Sequence, residues 1–233
     1  MSSKLIIALD FPSSVEALEF VSNLSPNDCK LKVGFELFVS AGPEMVRELI
    51  KKGFDVFLDL KFHDIPNTVA SVCKAAAKLD VWMMNVHASG GSEMMKAAHN
   101  ALDDLHNPPK LIAVSVLTSM SDEQLQEIGV DALAKDQVRH LARLTKKAGL
   151  DGMVCSAQEA ILLRELLGND FLLVTPGIRP KGADMGDQSR VMTPADAVKA
   201  GVDYIVVGRP ITQSSNPLKV IQEINDEVKS AIL

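Results

Sequence analysis

The chain has 233 residues, of which 47% are hydrophobic and 23% are charged, and its formal net charge is −6 at pH 7. This composition is typical of a globular protein with a substantial core, and we expect a single domain that covers residues 1–233. The sequence has no cluster of basic residues, so nucleic acids and anionic membrane surfaces are poor candidates for partners.

The sequence also favours a cytoplasmic protein. It shows no signal-peptide pattern at its start and no apolar run of the ~20 residues that a membrane span needs. Cys29, Cys73 and Cys155 are far apart and lie in apolar segments, and they form no CxxC or Cys/His pattern. We therefore interpret them as reduced packing residues rather than disulfide partners or metal ligands.

Strand signals recur along the whole chain at intervals of about 20–35 residues, and helical patterns lie between them. Most are near-continuous apolar runs, as expected for parallel strands that are covered on both faces. The predicted strands are 4–10, 29–34, 54–61, 81–88, 110–118, 151–156, 171–177 and 203–209. Eight β/α units in one domain predict an α/β fold, the (β/α)₈ TIM barrel. A doubly wound open sheet is the alternative, but no glycine-rich dinucleotide fingerprint follows the first strand.

The intervening helices carry recognisable start signals. Residues 13–16 and 156–159 each have the spacing of a capping box. Pro43 is typical of the first turn of a helix, and Thr193-Pro194 is predicted to begin the seventh helix. The pattern from 217 to 233 predicts a final helix.

The third predicted strand carries the most unusual charge pattern, within residues 57–68. Because strand side chains alternate between faces, Asp59 and Lys61 are expected on one face, about 6–7 Å apart along the strand. Asp64 adds a third charge three residues later. Lys32 interrupts the apolar second strand, and a buried lysine usually has a carboxylate partner, for which Asp59 on the neighbouring strand is suited. An ion pair that only holds the end of the sheet is the alternative interpretation.

Polar residues also end other predicted strands, where the functional groups of such barrels lie. Asp10 ends the first strand and is interpreted as a ligand contact, because Ser13 already provides a cap for the next helix. Asp64 alone would also suit the positive end of the following helix. We interpret His87 as structural and Ser156 as a helix cap.

A long segment, 177–192, follows the seventh strand and has the composition of a lid or binding loop. Beside it, 207–212 ends the eighth strand, and the loops after strands seven and eight of many barrels bind phosphate. Gly208 would let an anion approach the backbone, and Arg209 could grip phosphate with two hydrogen bonds. A solvated surface loop is the alternative.

Taken together, these motifs resemble the orotidine 5′-phosphate decarboxylases over essentially the whole chain. The resemblance is carried by 8–10, 32–34, 59–68, 117–118, 175–179, Gln188 and 207–209. The segment 59–68 is the most specific of these, whereas Gly-Arg alone would be a weak signal.

The resemblance implies decarboxylation of orotidine 5′-monophosphate to UMP and CO₂, the last step of UMP synthesis, without a cofactor or metal. It implies a homodimer in which Asp64, Ile65 and Thr68 reach the partner's site. The implied catalytic residues are Lys32, Asp59, Lys61 and Asp64. The implied substrate-binding residues are Asp10, Lys32, Asp59, Lys61, Asp64, Ile65, Thr68, Thr118, Arg179, Gln188, Gly208 and Arg209, with Ser121 as a further base contact.

Two other functions remain open from the sequence. A Mg²⁺-dependent keto-sugar-phosphate decarboxylase or aldolase of a related barrel shares the Asp-x-Lys-x-x-Asp spacing. The cation of Lys32 would repel Mg²⁺, and such enzymes differ at 65–68. The other alternative is a non-catalytic nucleotide-binding barrel, which would not need Asp59, Lys61 and Asp64 together.

Overall fold

A computed structural model describes residues 3–180 and 192–232 of the chain. Eight parallel strands pair in chain order and close into a barrel, because β1 pairs with both β2 and β8. The strands are β1 Leu5–Ala8, β2 Lys30–Val33, β3 Val56–Phe62, β4 Met83–His87, β5 Lys110–Val114, β6 Gly152–Val154, β7 Leu172–Thr175 and β8 Tyr204–Val207. The predicted barrel is therefore confirmed, and the open-sheet alternative is wrong.

Helices connect the strands and cover the outside of the barrel. They are α1 Ser14–Val21, α2 Phe35–Lys51, α3 Pro66–Ala77, α4 Gly91–Asn100, α5 Asp122–Glu127, α6 Ala134–Lys147, α7 Ala160–Leu167, α8 Pro194–Lys199, α9 Arg209–Thr212 and α10 Pro217–Ile232. Among the described residues, no helix is both long and apolar enough to cross a bilayer.

The predicted helix starts are confirmed by their hydrogen bonds. The hydroxyl of Ser13 accepts the backbone N–H of Glu16 (3.3 Å) at the start of α1. The Ser156 hydroxyl and the Glu159 carboxylate form the second capping box, before α7. Thr193 caps α8 in the same way, so side chains close to the helix ends satisfy N–H groups that have no partner within the helix.

The second helix differs from the prediction, because it begins at Phe35 and not close to Pro43. Gly42 has φ of +67° and breaks the helix, and Pro43 then starts its second part. A left-handed glycine followed by a proline bends the chain without exposing an unpaired N–H, which explains why Pro43 is tolerated there.

The barrel interior is filled by side chains, as in other barrels of this type. The inward-facing cluster consists of Ile6, Ala8, Phe57, Met83, Ile112, Val174 and Val206. At the opposite end of the barrel from the strands' carboxyl termini, Lys30 is 6% exposed, and its ammonium lies 4.6 Å from the Trp82 ring centroid. The barrel interior is thus closed at the amino ends of the strands, and open space remains at the mouth formed by their carboxyl ends.

The three cysteines are buried and unpaired, in agreement with their interpretation as packing residues. Burial is the largest cause that raises the pKa of each thiol, for Cys29, Cys73 and Cys155 alike, to about 12.

Candidate active site

A cavity of about 280 Å³ opens at the barrel mouth. Its wall combines a mostly apolar surface with a few polar groups, as in small-molecule sites. The apolar wall is formed by Phe57, Val114, Val116, Leu117, Val154, Val174, Pro176 and Val206. The polar wall is formed by Lys32, Asp59, Lys61, Thr118 and Ser119.

Asp59 is the centre of the polar wall and is only 9% exposed. One of its carboxylate oxygens, Oδ1, lies 2.7 Å from the Lys61 ammonium. The other, Oδ2, lies 3.3 Å from the Lys32 ammonium. Lys32 is also 3.3 Å from Oδ1 of Asp10. Four residues from β1, β2 and β3 and their ends therefore form one chain of alternating charges, Asp10–Lys32–Asp59–Lys61.

Lys61 reaches this position through an irregularity in β3. Leu58 is paired with Met84 and Phe62 with Val86, so four steps on β3 face two steps on β4. Within this bulge Lys61 has a backbone φ of +45°, which is uncommon for a residue other than glycine and costs on the order of 1–3 kcal/mol. Asp59 and Lys61 do lie together, but across a bulge rather than along the regular strand that the sequence predicts.

Asn85 stabilises this strained backbone and was missed by the sequence interpretation. It is fully buried in β4. Its side-chain oxygen accepts the backbone N–H of Lys61 (2.7 Å), and its amide nitrogen donates to Oδ1 of Asp59 (2.7 Å). A polar residue in the middle of the apolar run 81–88 is the signal that could have identified it.

The charges of the array support one another. Burial alone would lower the pKa of Lys32, but the carboxylates of Asp59 and Asp10 outweigh it, and the pKa is raised. Burial alone would raise the pKa of Asp59, but Lys32, Lys61 and the hydrogen bond from Asn85 outweigh it, and the pKa is lowered. Lys32 and Asp59 are therefore both ionised at neutral pH.

The structure does not bring Asp64, Ile65 and Thr68 into the cavity of their own chain. Asp64 and Ile65 lie between β3 and α3, and Thr68 lies in the first turn of α3. All three are exposed, Ile65 to 67%. Oδ1 of Asp64 accepts the backbone N–H of Ile65 (2.6 Å). This placement leaves the three residues available to another molecule.

Three of the residues predicted to bind phosphate, Arg179, Gly208 and Arg209, follow the ends of β7 and β8. Gly208 follows β8, and a Cβ added to it would lie 3.6 Å from Oδ2 of Asp10. Arg209 is exposed. Arg179 is 9% exposed and directly follows Ile178, which forms a β-bridge with Met192.

Three further predicted residues have different outcomes. Gln188 lies outside the described residues. Thr118 lines the cavity, and its neighbour Ser119, which the sequence interpretation did not single out, lines it as well. Ser121 is exposed and caps α5 through a reciprocal pair of hydrogen bonds with Gln124, so its position is explained without a base contact.

The family model of the orotidine 5′-phosphate decarboxylase / HUMPS family matches residues 3–224. The chain belongs to this family. A protein of Pseudoalteromonas atlantica, named orotidine 5′-phosphate decarboxylase, is 58% identical over 95% of this chain and 96% of its own. A protein of the same name from Aliivibrio fischeri is 56% identical over 98% of both chains.

Solved structures agree with the family assignment. The crystal structure of orotidine 5′-phosphate decarboxylase from Lactobacillus acidophilus has a TM-score of 0.87 and 43% identity, over 96% of this chain and 98% of that one. An uncharacterized conserved protein from Geobacillus kaustophilus has a TM-score of 0.84 and 39% identity, over 96% and 99% of the two chains. The resemblance inferred from the motifs is therefore confirmed at the level of the decarboxylase family.

Proposed function

We propose that the barrel mouth converts orotidine 5′-monophosphate to UMP and CO₂ without a metal or organic cofactor, with Lys61 as the proton donor. The chain is a carboxy-lyase of its family, because relatives 55–58% identical over nearly its full length carry the decarboxylase name. The observation that carries the mechanism is the Lys61 ammonium, held 2.7 Å from Asp59 at the wall of a largely apolar cavity.

The chemistry of the substrate requires a positive charge at this place. Loss of CO₂ from C6 leaves an electron pair in the plane of the pyrimidine ring, where the π system cannot delocalise it. A fixed ammonium beside C6 stabilises that developing charge, and the stabilisation is strong where water is excluded. Lys61 then transfers a proton to C6, which gives UMP and a neutral lysine that regains its proton from solvent.

Asp59 keeps this ammonium in place, and Lys32 in turn pairs with Asp59. Asp59 remains an anion at neutral pH because its pKa is lowered, so it holds Lys61 and faces the region of the substrate carboxylate. Lys32 and Asp10 lie farther along the array and suit the ribose hydroxyl groups, since together they provide both a donor and an acceptor.

The phosphate is assigned to the ends of β7 and β8. The guanidinium of Arg209 and the backbone at Gly208 suit an anion, and Arg179 lies at the same end of the barrel. Gln188 is added to this set from the family resemblance alone. Binding energy from a phosphate far from C6 can be used to order the surrounding loops and to position the reacting ring.

A homodimer completes the site in this proposal. Asp64, Ile65 and Thr68 of each copy would enter the cavity of the other, so that Asp64 adds a fifth charged residue to the array, beside Lys61. Support comes from exposed apolar side chains: Ile65 within this segment is 67% exposed, and Phe35 at the start of α2 is 55% exposed. The Phe35 ring centroid is 5.3 Å from the Lys61 ammonium, so the apolar surface extends to the cavity.

The deciding experiment is to follow the absorbance of orotidine 5′-monophosphate with the purified chain in the presence of EDTA. Turnover that is unaffected by EDTA supports the proposal. Turnover that EDTA abolishes and Mg²⁺ restores would favour the metal-dependent alternative, which the cation of Lys32 argues against. Tight binding of the nucleotide without turnover would favour the non-catalytic barrel.

A further inference from the structure

Two histidine rings stack beside the array, and the mechanism above does not use them. The centroids of His63 and His87 are 5.7 Å apart, and their planes are inclined by 26°. His87 is the last residue of β4, and His63 directly follows the last residue of β3. A Cβ added to Gly90 would lie 3.3 Å from Cδ2 of His63, so the ring also lies against the turn after β4.

The stack lies at the start of the exposed segment 63–68, which contains Asp64. Phe62 and Val86 form the last register pair between β3 and β4, and the two rings extend this contact beyond the sheet. The hydrogen bond from the Ile65 N–H to Asp64 is local and does not tie the segment to the barrel. The stack therefore fixes the direction in which the segment leaves the barrel.

Lys61 is held in a different way. Its backbone N–H is bound by Asn85, and its ammonium is bound by Asp59. Loss of the His63 ring would leave both of these bonds in place. The histidine pair can thus affect Asp64 without moving Lys61 of the same chain.

The surroundings favour a neutral His87. Burial is the largest cause that lowers the pKa of His87, and electrostatic interactions with His63 and Lys61 lower it further. Within the described part of the chain, Nδ1 of His87 is buried and has no hydrogen-bond partner, so a charged ring would be poorly satisfied.

We propose that the His63–His87 stack is a positioning device that aims Asp64, Ile65 and Thr68 at the active site of a second copy of the chain. The inference rests on the proposed decarboxylation at a shared site. His63 acts through Asp64 and not on the substrate itself, so its effect appears in the partner's turnover.

The first test compares His63→Ala, His63→Phe and His140→Ala. His140 is exposed on α6 and serves as the control. We expect His63→Ala to lower kcat about 10- to 100-fold, because small displacements of a catalytic group have effects of this size. His63→Phe keeps an aromatic ring for stacking and should retain most of the activity. Equal kcat values for His63→Ala and His140→Ala would overturn the proposal.

The second test asks whether the effect passes between chains. In an equal mixture of His63→Ala and Lys61→Ala chains, about half of the dimers are hybrids, and each hybrid has one site with an intact Lys61 and an intact stack. Because half of the dimers each have one intact site of two, the mixture should recover about a quarter of wild-type activity. If mixing restores nothing, the stack does not act on the partner's site.

A third measurement does not depend on turnover. Amide hydrogen exchange of residues 64–68 should be faster in His63→Ala than in wild type, and close to wild type in His63→Phe. Unchanged exchange in His63→Ala would overturn the proposal even if the variant were slow. A wild-type chain that fails to decarboxylate would refute the proposed function, while the exchange result would still decide whether the stack orders the segment.

Discussion

Replacement of Asn85 by alanine tests whether the buried amide holds Lys61, the proposed proton donor, in position. Asn85 is fully buried and makes two side-chain hydrogen bonds of 2.7 Å, one to the Asp59 carboxylate and one from the Lys61 backbone N–H. A hydrogen bond to a charged group contributes about 1.5–3 kcal/mol and a neutral one about 0.5–1.5 kcal/mol. We therefore expect Asn85→Ala to lower the free energy of unfolding by about 2–4 kcal/mol.

The same change should reduce turnover out of proportion to its effect on stability. Without Asn85, the left-handed backbone at Lys61 loses the bond that offsets its strain, and the ammonium is no longer fixed relative to the substrate. A displacement of about 1 Å in such a group costs on the order of 10²-fold in rate. We expect kcat to fall by about that factor while the affinity for UMP changes much less, since the proposed phosphate contacts of Gly208 and Arg209 are not altered.

Asn225 provides a matched control far from the barrel mouth. It is 9% exposed on α10, donates to the carbonyl of Asp28 (2.9 Å) and accepts from the hydroxyl of Ser3 (3.0 Å). Asn225→Ala also removes two side-chain hydrogen bonds, both partly buried, so its urea-unfolding curve should shift in the same direction while kcat per folded molecule stays at the wild-type value. Equal kcat values for the two folded variants would refute the role assigned to Asn85.

Three other changes test the array and the phosphate end. Lys61→Ala should lower kcat by about 10³-fold or more, with UMP binding still measurable by calorimetry. The control Lys147→Ala, on the exposed face of α6, should leave kcat unchanged. Near-normal turnover by Lys61→Ala would remove Lys61 from the mechanism. Arg209→Ala should weaken nucleotide binding about 10- to 100-fold and spare the phosphate-free nucleoside, so an equal loss for both ligands would contradict its role. Because the pKa of Asp59 is lowered on folding, its stabilising contribution is present above about pH 4 and is lost as the pH falls through the folded value. Urea unfolding from pH 7 to pH 3 should therefore show a steeper loss of stability for wild type than for Asp59→Asn, and parallel curves would show that the array does not hold Asp59 ionised.

The barrel could be predicted from the sequence because each parallel strand is an apolar run between turn signals. The predicted ends were less accurate where apolar residues continue beyond the sheet. The run 110–118 was predicted as one strand, but β5 ends at Val114, and Val116 and Leu117 line the cavity instead. Hydrophobicity alone does not distinguish a residue that packs in the sheet from one that forms the wall of a site.

Part of the charged array could also be predicted from the sequence. Lys32 and Asp59 lie on neighbouring strands, so their pairing follows from strand order once the barrel is assumed. The bulge at Lys61 could not be predicted, because its left-handed backbone depends on a hydrogen bond to Asn85, 24 residues later. His63 likewise gave no local signal, since its stacking on His87 exists only when β3 and β4 lie side by side.

The position of the backbone strain argues against a purely structural ion pair at the barrel mouth. An ion pair that only closed the sheet would need neither a left-handed lysine nor a cavity beside it, and apolar residues of similar size would often serve as well. Here the uncommon backbone falls on Lys61, whose ammonium lines the cavity, and a buried amide is used to maintain it. Strain that is stabilised at one cavity-facing residue is typical of functional positions, because the surrounding structure must be organised to maintain it. The same reasoning makes Asn85 a positioning residue of the candidate site, because its hydrogen bonds stabilise the uncommon backbone conformation of Lys61 within the barrel.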